Sequence, residues 1–252
     1  MSGLLRSSDT AGILGAATLR QLGEQQVERP AAAPRVEPAT APVRVAAAPP
    51  ALSRTKRGVD LAVVAVSSPL WLPLGAVIAL VVLVTSRGSV LFGQERVGLG
   101  GTRFKMFKFR TMHREAEQLL QQDPELWDDY VTNGFKLPAA LDRRVTKVGR
   151  FLRRSSLDEL PQILNVLNGT MTLVGPRPVV PAEIENYADR RAIYLSVRPG
   201  ITGAWQVNGR SNIDYPERVD IDEEYVRTWS LGNDLRILAR TPLAVLTARG
   251  AY

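Results

Sequence analysis

Cysteine is absent from these 252 residues, and His113 is the only histidine. That excludes a disulfide framework, a thiolate nucleophile, a His-centred triad and a multi-histidine metal site. Any chemistry must use carboxylates, cations and hydroxyls. No charged residue lies between Asp60 and Arg87, and no acid lies between Asp142 and Asp158. The acid-free stretch carries Arg143, Arg144, Lys147, Arg150, Arg153 and Arg154. A secretory signal is not expected, because the first strongly apolar run begins only at Leu61. Pro30 to Leu52 is built almost wholly from Ala, Pro, Val and Arg, which cannot bury enough surface to offset ordering. Residues 1–53 are therefore expected to form a disordered tether. What is abundant is positive charge: a net +7 and a pI near 10 favour nucleic acid, anionic lipid or phosphorylated metabolites as partners.

Leu61 to Thr85 is uncharged and exceeds the roughly 20 apolar residues that cross a bilayer core. Ser67-Ser68-Pro69 and Pro73 interrupt its first half, and each proline removes a backbone hydrogen bond. Cations flank both ends: Arg54, Lys56 and Arg57 before it, and Arg87, Arg96, Arg103, Lys105, Lys108, Arg110 and Arg114 after it. The positive-inside tendency draws both flanks to the cytoplasm. A spanning helix and a re-entrant helix broken at Ser68-Pro69 both fit these residues. Ser89–Val97 and Thr102–Met112, with Gly98, Gly100 and Gly101 between them, predict a β-hairpin. Its second strand mixes aromatics with Lys105, Lys108 and Arg110. That mixture suits single-stranded nucleic acid or a phosphate-bearing membrane substrate, and the adjoining apolar segment favours the latter. Residues 115–141 read as a surface insertion with one short helix.

Val145, Val148, Leu152 and Ser155 fall on one helical face. Ser156 and Glu159 then match a capping box, with Asp158 between them. Leu157, Leu160, Ile163, Leu164 and Leu167 form an apolar face that Asn168-Gly169 ends. One reading makes Asp158 and Glu159 a helix cap. The other gives them work on a phosphorylated substrate. Neighbours on a helix project about 100° apart, so one carboxylate faces a reacting phosphorus while the other holds a metal. Like charges 4 Å apart repel by about 4 kcal/mol at an effective dielectric of 20. Several cations and a divalent ion must offset that, and Mg2+ with carboxylate and phosphate ligands suits the available side chains.

Motifs in order carry a resemblance. They are Lys56-Arg57-Gly58-Val59-Asp60, Ser68-Pro69, Gly88 to Gly98, Phe107-Lys108-Phe109-Arg110-Thr111-Met112 and Ser156-Leu157-Asp158-Glu159-Leu160-Pro161-Gln162. Gly175-Pro176-Arg177-Pro178, Arg198-Pro199-Gly200-Ile201-Thr202-Gly203 and Gln206-Val207-Asn208-Gly209-Arg210 follow. From about residue 54 to the C-terminus the chain resembles the bacterial polyprenyl-phosphate hexose-1-phosphate transferases, the monotopic phosphoglycosyl transferases, in their short exopolysaccharide-initiating form. One departure is Gly169-Thr170-Met171-Thr172, where that family commonly has Gly-Asp-Met-Ser.

The resemblance implies a mainly helical α+β fold. A re-entrant membrane helix over 54–86, broken at Ser68-Pro69, would carry a small cytoplasmic-face catalytic domain over 87–252. That domain would contain the β-hairpin and surface amphipathic helices, one of them over Leu235–Leu246. The resemblance implies that Asp158 attacks the β-phosphorus of a UDP-hexose, releases UMP and carries the sugar phosphate until polyprenyl phosphate accepts it. It implies Mg2+ on Glu159, and phosphate, nucleotide or lipid contacts for Lys108, Arg153, Arg177 and Arg210. Expected partners are UDP-hexose, polyprenyl phosphate, the cytoplasmic leaflet of the inner membrane and, as a candidate, a second copy of the chain. Nucleic acid is not expected. The rival reading is a non-catalytic, membrane-tethered basic binding or scaffold protein in polysaccharide assembly.

Overall fold

The computed structural model describes residues 54–86, 88–124, 126–128, 137, 142–209 and 213–246, so the expected tether lies outside them. Among the described residues the fold is mostly helical, with two small two-stranded sheets and one long apolar helix. That helix, α1 (Arg54–Ser86), runs through Pro69 and Pro73 without leaving helical structure. The break expected at Ser68-Pro69 is therefore not seen in the backbone, and the hydroxyls explain why. Proline at position 69 cannot donate to the Ala65 carbonyl four residues earlier. Ser68 Oγ donates to that carbonyl at 2.7 Å, Ser67 Oγ to Val63 O at 2.7 Å, and Trp71 Nε1 to Val64 O at 3.0 Å.

Buried residues on α1 recur at helical spacing: Lys56, Asp60 and Val64 in its first part, Ile78, Val82 and Ser86 in its last. Between them Gly75 lies against Leu160. The first part is pinned by polar contacts as well. Lys56 pairs with Asp234 at 2.6 Å with both side chains buried, Thr172 Oγ1 donates to Asp60, and Arg57 donates to the Val166 carbonyl. The opposite faces stay bare and apolar, with Val66, Leu70 and Val84 each more than 70% exposed.

The hairpin forms as expected, slightly shorter: β1 (Leu91–Val97) pairs antiparallel with β2 (Arg103–Phe109), Phe92 facing Lys108 and Arg96 facing Phe104. Helix α2 (Ala116–Gln122) is not the single short helix expected of the insertion: helical backbone recurs at Pro124 and at 126–128, and residues 129–136 lie outside the described ones. Helix α3 (Lys147–Arg154) carries the cations, and Thr146 caps it by accepting from Gly149 N at 2.8 Å. Val145 lies before this helix, bridged to Met112, so it is not on the predicted helical face.

After the 3-10 turn Leu157–Glu159 comes α4 (Gln162–Leu167), ended by Gly169 at φ 82°. Strand β3 (Thr172–Val174) pairs in parallel with β4 (Gly200–Thr202). Here glycine is required by close approach: a Cβ on Gly200 would lie 2.2 Å from Gly175 N, and one on Gly175 would lie 2.8 Å from Arg198 O. The Gly-Pro and Pro-Gly motifs thus clasp backbone to backbone, with Gly200 N donating to Pro176 O at 2.8 Å. The 3-10 segment Pro181–Arg190 and helices α5 (Arg191–Leu195), α6 (Ala204–Asn208), α7 (Tyr215–Arg227) and α8 (Leu231–Leu246) complete the fold. Helix α8 begins four residues earlier than the Leu235 expected, and leaves Leu235 and Leu243 exposed. Two apolar clusters fasten α1: Val64 packs with Phe104, Met106, Val166 and Met171, and Ile78 and Val82 pack with Phe109 and Leu152.

Candidate active site

Asp158 and Glu159 do not head a capped helix. Ser156 adopts a left-handed conformation at φ 56°, and its side chain makes no capping hydrogen bond. The capping box read from Ser156 and Glu159 is thus not formed. Ser155 Oγ instead donates back to the Phe151 carbonyl at 2.8 Å, closing α3. A left-handed conformation costs a non-glycine residue about 1–2 kcal/mol, and it reverses the chain between α3 and the carboxylates. The 3-10 turn then delivers Asp158 to the interior, its side chain 11% exposed, and Glu159 to the rim at 32%.

Lys108, from β2, sits against both carboxylates. Its Nζ is 2.7 Å from Glu159 Oε1 and 3.9 Å from Asp158 Oδ2. Asn165 fixes the strand that presents it. From α4 it accepts from Phe107 N at 2.9 Å and donates to Lys105 O at 2.8 Å, matching the backbone on both sides of Met106. Thr170, at the position where an acid was missed, holds that amide: Asn165 Nδ2 also donates to Thr170 Oγ1 at 3.0 Å, and Thr170 Oγ1 donates to Asn168 Oδ1 at 2.7 Å. A neutral hydroxyl serves here as a support beneath the lysine strand.

The two acids are tuned apart. Burial pushes the Asp158 carboxyl up to about 6; Lys108 and Arg153 oppose the rise and the neighbouring Glu159 adds to it. Burial pushes Glu159 the same way, but Lys108, Arg177 and Arg96 together outweigh it and hold Glu159 below the usual carboxylate range. Arg153 donates from Nε to Thr111 Oγ1 at 2.9 Å. Burial lowers its pKa, opposed by the fields of Asp158 and Asp142. Arg177 stands exposed after the Gly175-Pro176 clasp, with its guanidinium 5.9 Å from the centre of the Trp205 ring. Arg210 lies outside the described residues. The structure thus gathers Lys108, Arg153 and Arg177 around one acidic pair, Asp158 and Glu159.

Two contributors were missed from the sequence, Asn165 and Arg96. Arg96 is buried on β1, donates to Gln94 Oε1 at 2.7 Å, lies 3.6 Å from Glu183, and its Nε has no partner among the described residues. Its burial lowers its pKa, reinforced by Arg177. The available signal was its place opposite Phe104 in the hairpin, an inward position.

No group of three or more acidic, histidine or cysteine side chains able to hold a metal occurs among the described residues. The donors on hand are the two carboxylates. They fit an ion that takes one or two carboxylates and completes its shell with water and substrate phosphate, as Mg2+ does. They do not fit a site closed by protein ligands alone.

The bacterial sugar transferase family model matches residues 51–248. The exopolysaccharide production protein ExoY of Rhizobium meliloti is 41% identical over 84% of this chain and 94% of its own length. A UDP-glucose:undecaprenyl-phosphate glucose-1-phosphate transferase of Caulobacter vibrioides is 40% identical over 80% of this chain and 73% of that protein. The undecaprenyl-phosphate galactose phosphotransferase of Salmonella typhimurium is 46% identical over 66% of this chain, which spans only 35% of that protein.

Proposed function

This chain belongs to the bacterial sugar transferase family, and on that premise we propose that it transfers a hexose-1-phosphate from UDP-hexose to polyprenyl phosphate. The undecaprenyl carrier, glucose or galactose as the hexose, and a role in starting an exopolysaccharide all follow the names of its relatives. The observation that carries the reading is a buried carboxylate, Asp158, flanked by Lys108 and Arg153 beside a second, ionised acid. A purely structural acid pair has no need of an anion-binding rim of that composition.

In the proposed reaction a carboxylate oxygen of Asp158 attacks the β-phosphorus of UDP-hexose. The bond from that phosphorus to the bridging oxygen breaks, and UMP leaves with the electron pair. The hexose phosphate is then held on Asp158 as an acyl phosphate. A phosphate oxygen of the polyprenyl phosphate attacks the same phosphorus and the carboxylate leaves, so the enzyme is regenerated and the lipid carries a diphosphate-linked hexose. The two polyanionic substrates never have to react with each other directly.

Desolvation at Asp158 makes the carboxylate a stronger nucleophile but keeps part of it protonated near pH 6. Lys108 offsets the charge of both acids, and Arg153 lies beside Asp158 as phosphate arrives. Arg177 is exposed at the surface, and a guanidinium that can fork onto phosphate suits the nucleotide side. Glu159 would hold Mg2+, which when bound neutralises diphosphate charge. We place the reaction on the cytoplasmic face of the inner membrane, with α1 dipping into one leaflet and both its ends on the catalytic side. Burial of Lys56 and Asp60 at one end and of Val82 and Ser86 at the other, against the same body, supports this.

The test is UMP release with Mg2+ and polyprenyl phosphate across UDP-glucose and UDP-galactose. Asp158→Asn, nearly isosteric, is expected to lose at least about a thousandfold, since no neighbouring group replaces a nucleophile. Ordinary turnover in that variant would sink the mechanism.

A further inference from the structure

A second polar site lies where α1 meets the hairpin. A cavity of about 630 Å³ is lined by Leu83, Gly88, Ser89, Arg110 and Arg114. Neither arginine makes an ion pair or a side-chain hydrogen bond to another described residue, whereas many surface arginines of this protein do. Gly88 gives Arg110 its room: a Cβ there would lie 2.1 Å from a guanidinium nitrogen. Ser89 Oγ donates its proton to the Leu91 carbonyl at 2.8 Å, so the hydroxyl is held in place.

The side of the cavity formed by α1 is apolar. Leu83 is 54% exposed, and Leu80 and Val84, three residues before it and one after it on α1, are 62% and 72% exposed. These side chains belong to the bare surface of the membrane helix. A ligand occupying the cavity therefore meets two guanidinium groups without a side-chain partner among the described residues, and through Leu83 the exposed apolar surface of α1. Guanidinium forks match phosphate oxygens, and a row of exposed leucine and valine side chains matches an alkyl chain. Backbone alternation adds a second link. Arg110 N continues the β ladder by donating to Val90 O at 2.9 Å, so Arg110 follows Lys108 on the same face of the strand. The two Cα atoms are about 7 Å apart at strand spacing.

We propose that this cavity binds a tail-bearing phosphate: Arg110 and Arg114 hold the phosphate, and the Leu80–Leu83–Val84 face of α1 takes the chain. Two lipids offer that chemistry, an anionic phospholipid of the surrounding leaflet and the polyprenyl phosphate acceptor on its way to Asp158. Binding needs no transfer reaction, so this site stands or falls separately from the mechanism above.

The experiment measures equilibrium binding to the full-length chain in detergent micelles, with four probes: dioleoyl phosphatidylglycerol, farnesyl phosphate, dioleoylglycerol and inorganic phosphate. Wild type should bind at least one tailed phosphate well above dioleoylglycerol and inorganic phosphate. Arg110→Gln with Arg114→Gln should weaken that binding by about tenfold or more, the usual scale for losing hydrogen bonds to a charged group. Gly88→Ala, which keeps both charges but displaces Arg110, should weaken it as well, and Leu83→Ser should weaken it through the tail. Selective loss of phosphatidylglycerol identifies a leaflet lipid, and selective loss of farnesyl phosphate identifies the acceptor; either supports the site. Unchanged binding of every probe in the double variant and in Gly88→Ala overturns it. So does inorganic phosphate binding as tightly as the tailed probes.

Discussion

Asp158 is caught between two opposed influences, and their balance sets both its reactivity and its cost. Burial favours the neutral acid; Lys108 and Arg153 favour the carboxylate. The net result, about 6, lies above the 3.8 of a free aspartate. Between those values the folded protein binds the proton more tightly than the unfolded chain, so stability from this group is full below 3.8 and is lost as pH rises through 6. In carboxyl NMR of the substrate-free, metal-free protein, one aspartate signal absent from Asp158→Asn should titrate near pH 6. The stability advantage of Asp158→Asn over wild type should grow between pH 4 and 7 by on the order of 1–3 kcal/mol. A midpoint near 4 and a pH-independent difference would contradict that balance. At this scale Asp158, Glu159, Lys108 and Arg177 were legible as candidates because ordered motifs carry them, and Arg153 because it lies in the acid-free cationic run before the acidic pair. Asn165 and Arg96 were not. Each acts through a long-range partner, β2 for Asn165 and Glu159 for Arg96; the inward hairpin position of Arg96 was open to local reading, but neither partnership was.

The elements differ in how plainly their residues announce them. The hairpin was readable from its aromatic and β-branched runs around Gly98, Gly100 and Gly101, because those preferences act locally. The β3–β4 pair was not: each strand has three residues, and their pairing joins Thr172 to Gly200 across a long connection. Helix α1 was readable as apolar and proline-bearing, but Ser68-Pro69 was expected to break it. The Ser68 hydroxyl occupies the carbonyl that Pro69 leaves free, so helical backbone persists. Topology then rests on which surfaces the ends touch. The chain contains no cysteine, so single substitutions are clean probes. With Thr40→Cys and Ser89→Cys, an impermeant maleimide applied to intact cells should label neither, and both should label once the membrane is opened. Labelling at position 40 alone from outside would mean that α1 crosses.

Across the whole molecule, three devices converge on one acidic pair. The left-handed Ser156 turn reverses the chain after the cationic helix and buries Asp158. The Asn165–Thr170 contact holds the Lys108 strand in register, and the Gly175–Gly200 clasp sets the base from which Arg177 projects. The capping box failed as a reading because the tertiary position of Asp158, inside rather than at a helix tip, outweighed a local preference worth about 1 kcal/mol. In the reaction we propose, this arrangement serves a carboxylate that carries the sugar phosphate, and that proposal has a direct test. The protein is mixed with Mg2+ and a UDP-hexose labelled in the sugar, without polyprenyl phosphate, quenched within the first turnover and mapped by mass spectrometry. Label should appear on Asp158 together with UMP, and should be discharged by added polyprenyl phosphate. UMP formed only when the lipid is present, with no label on Asp158, would contradict it.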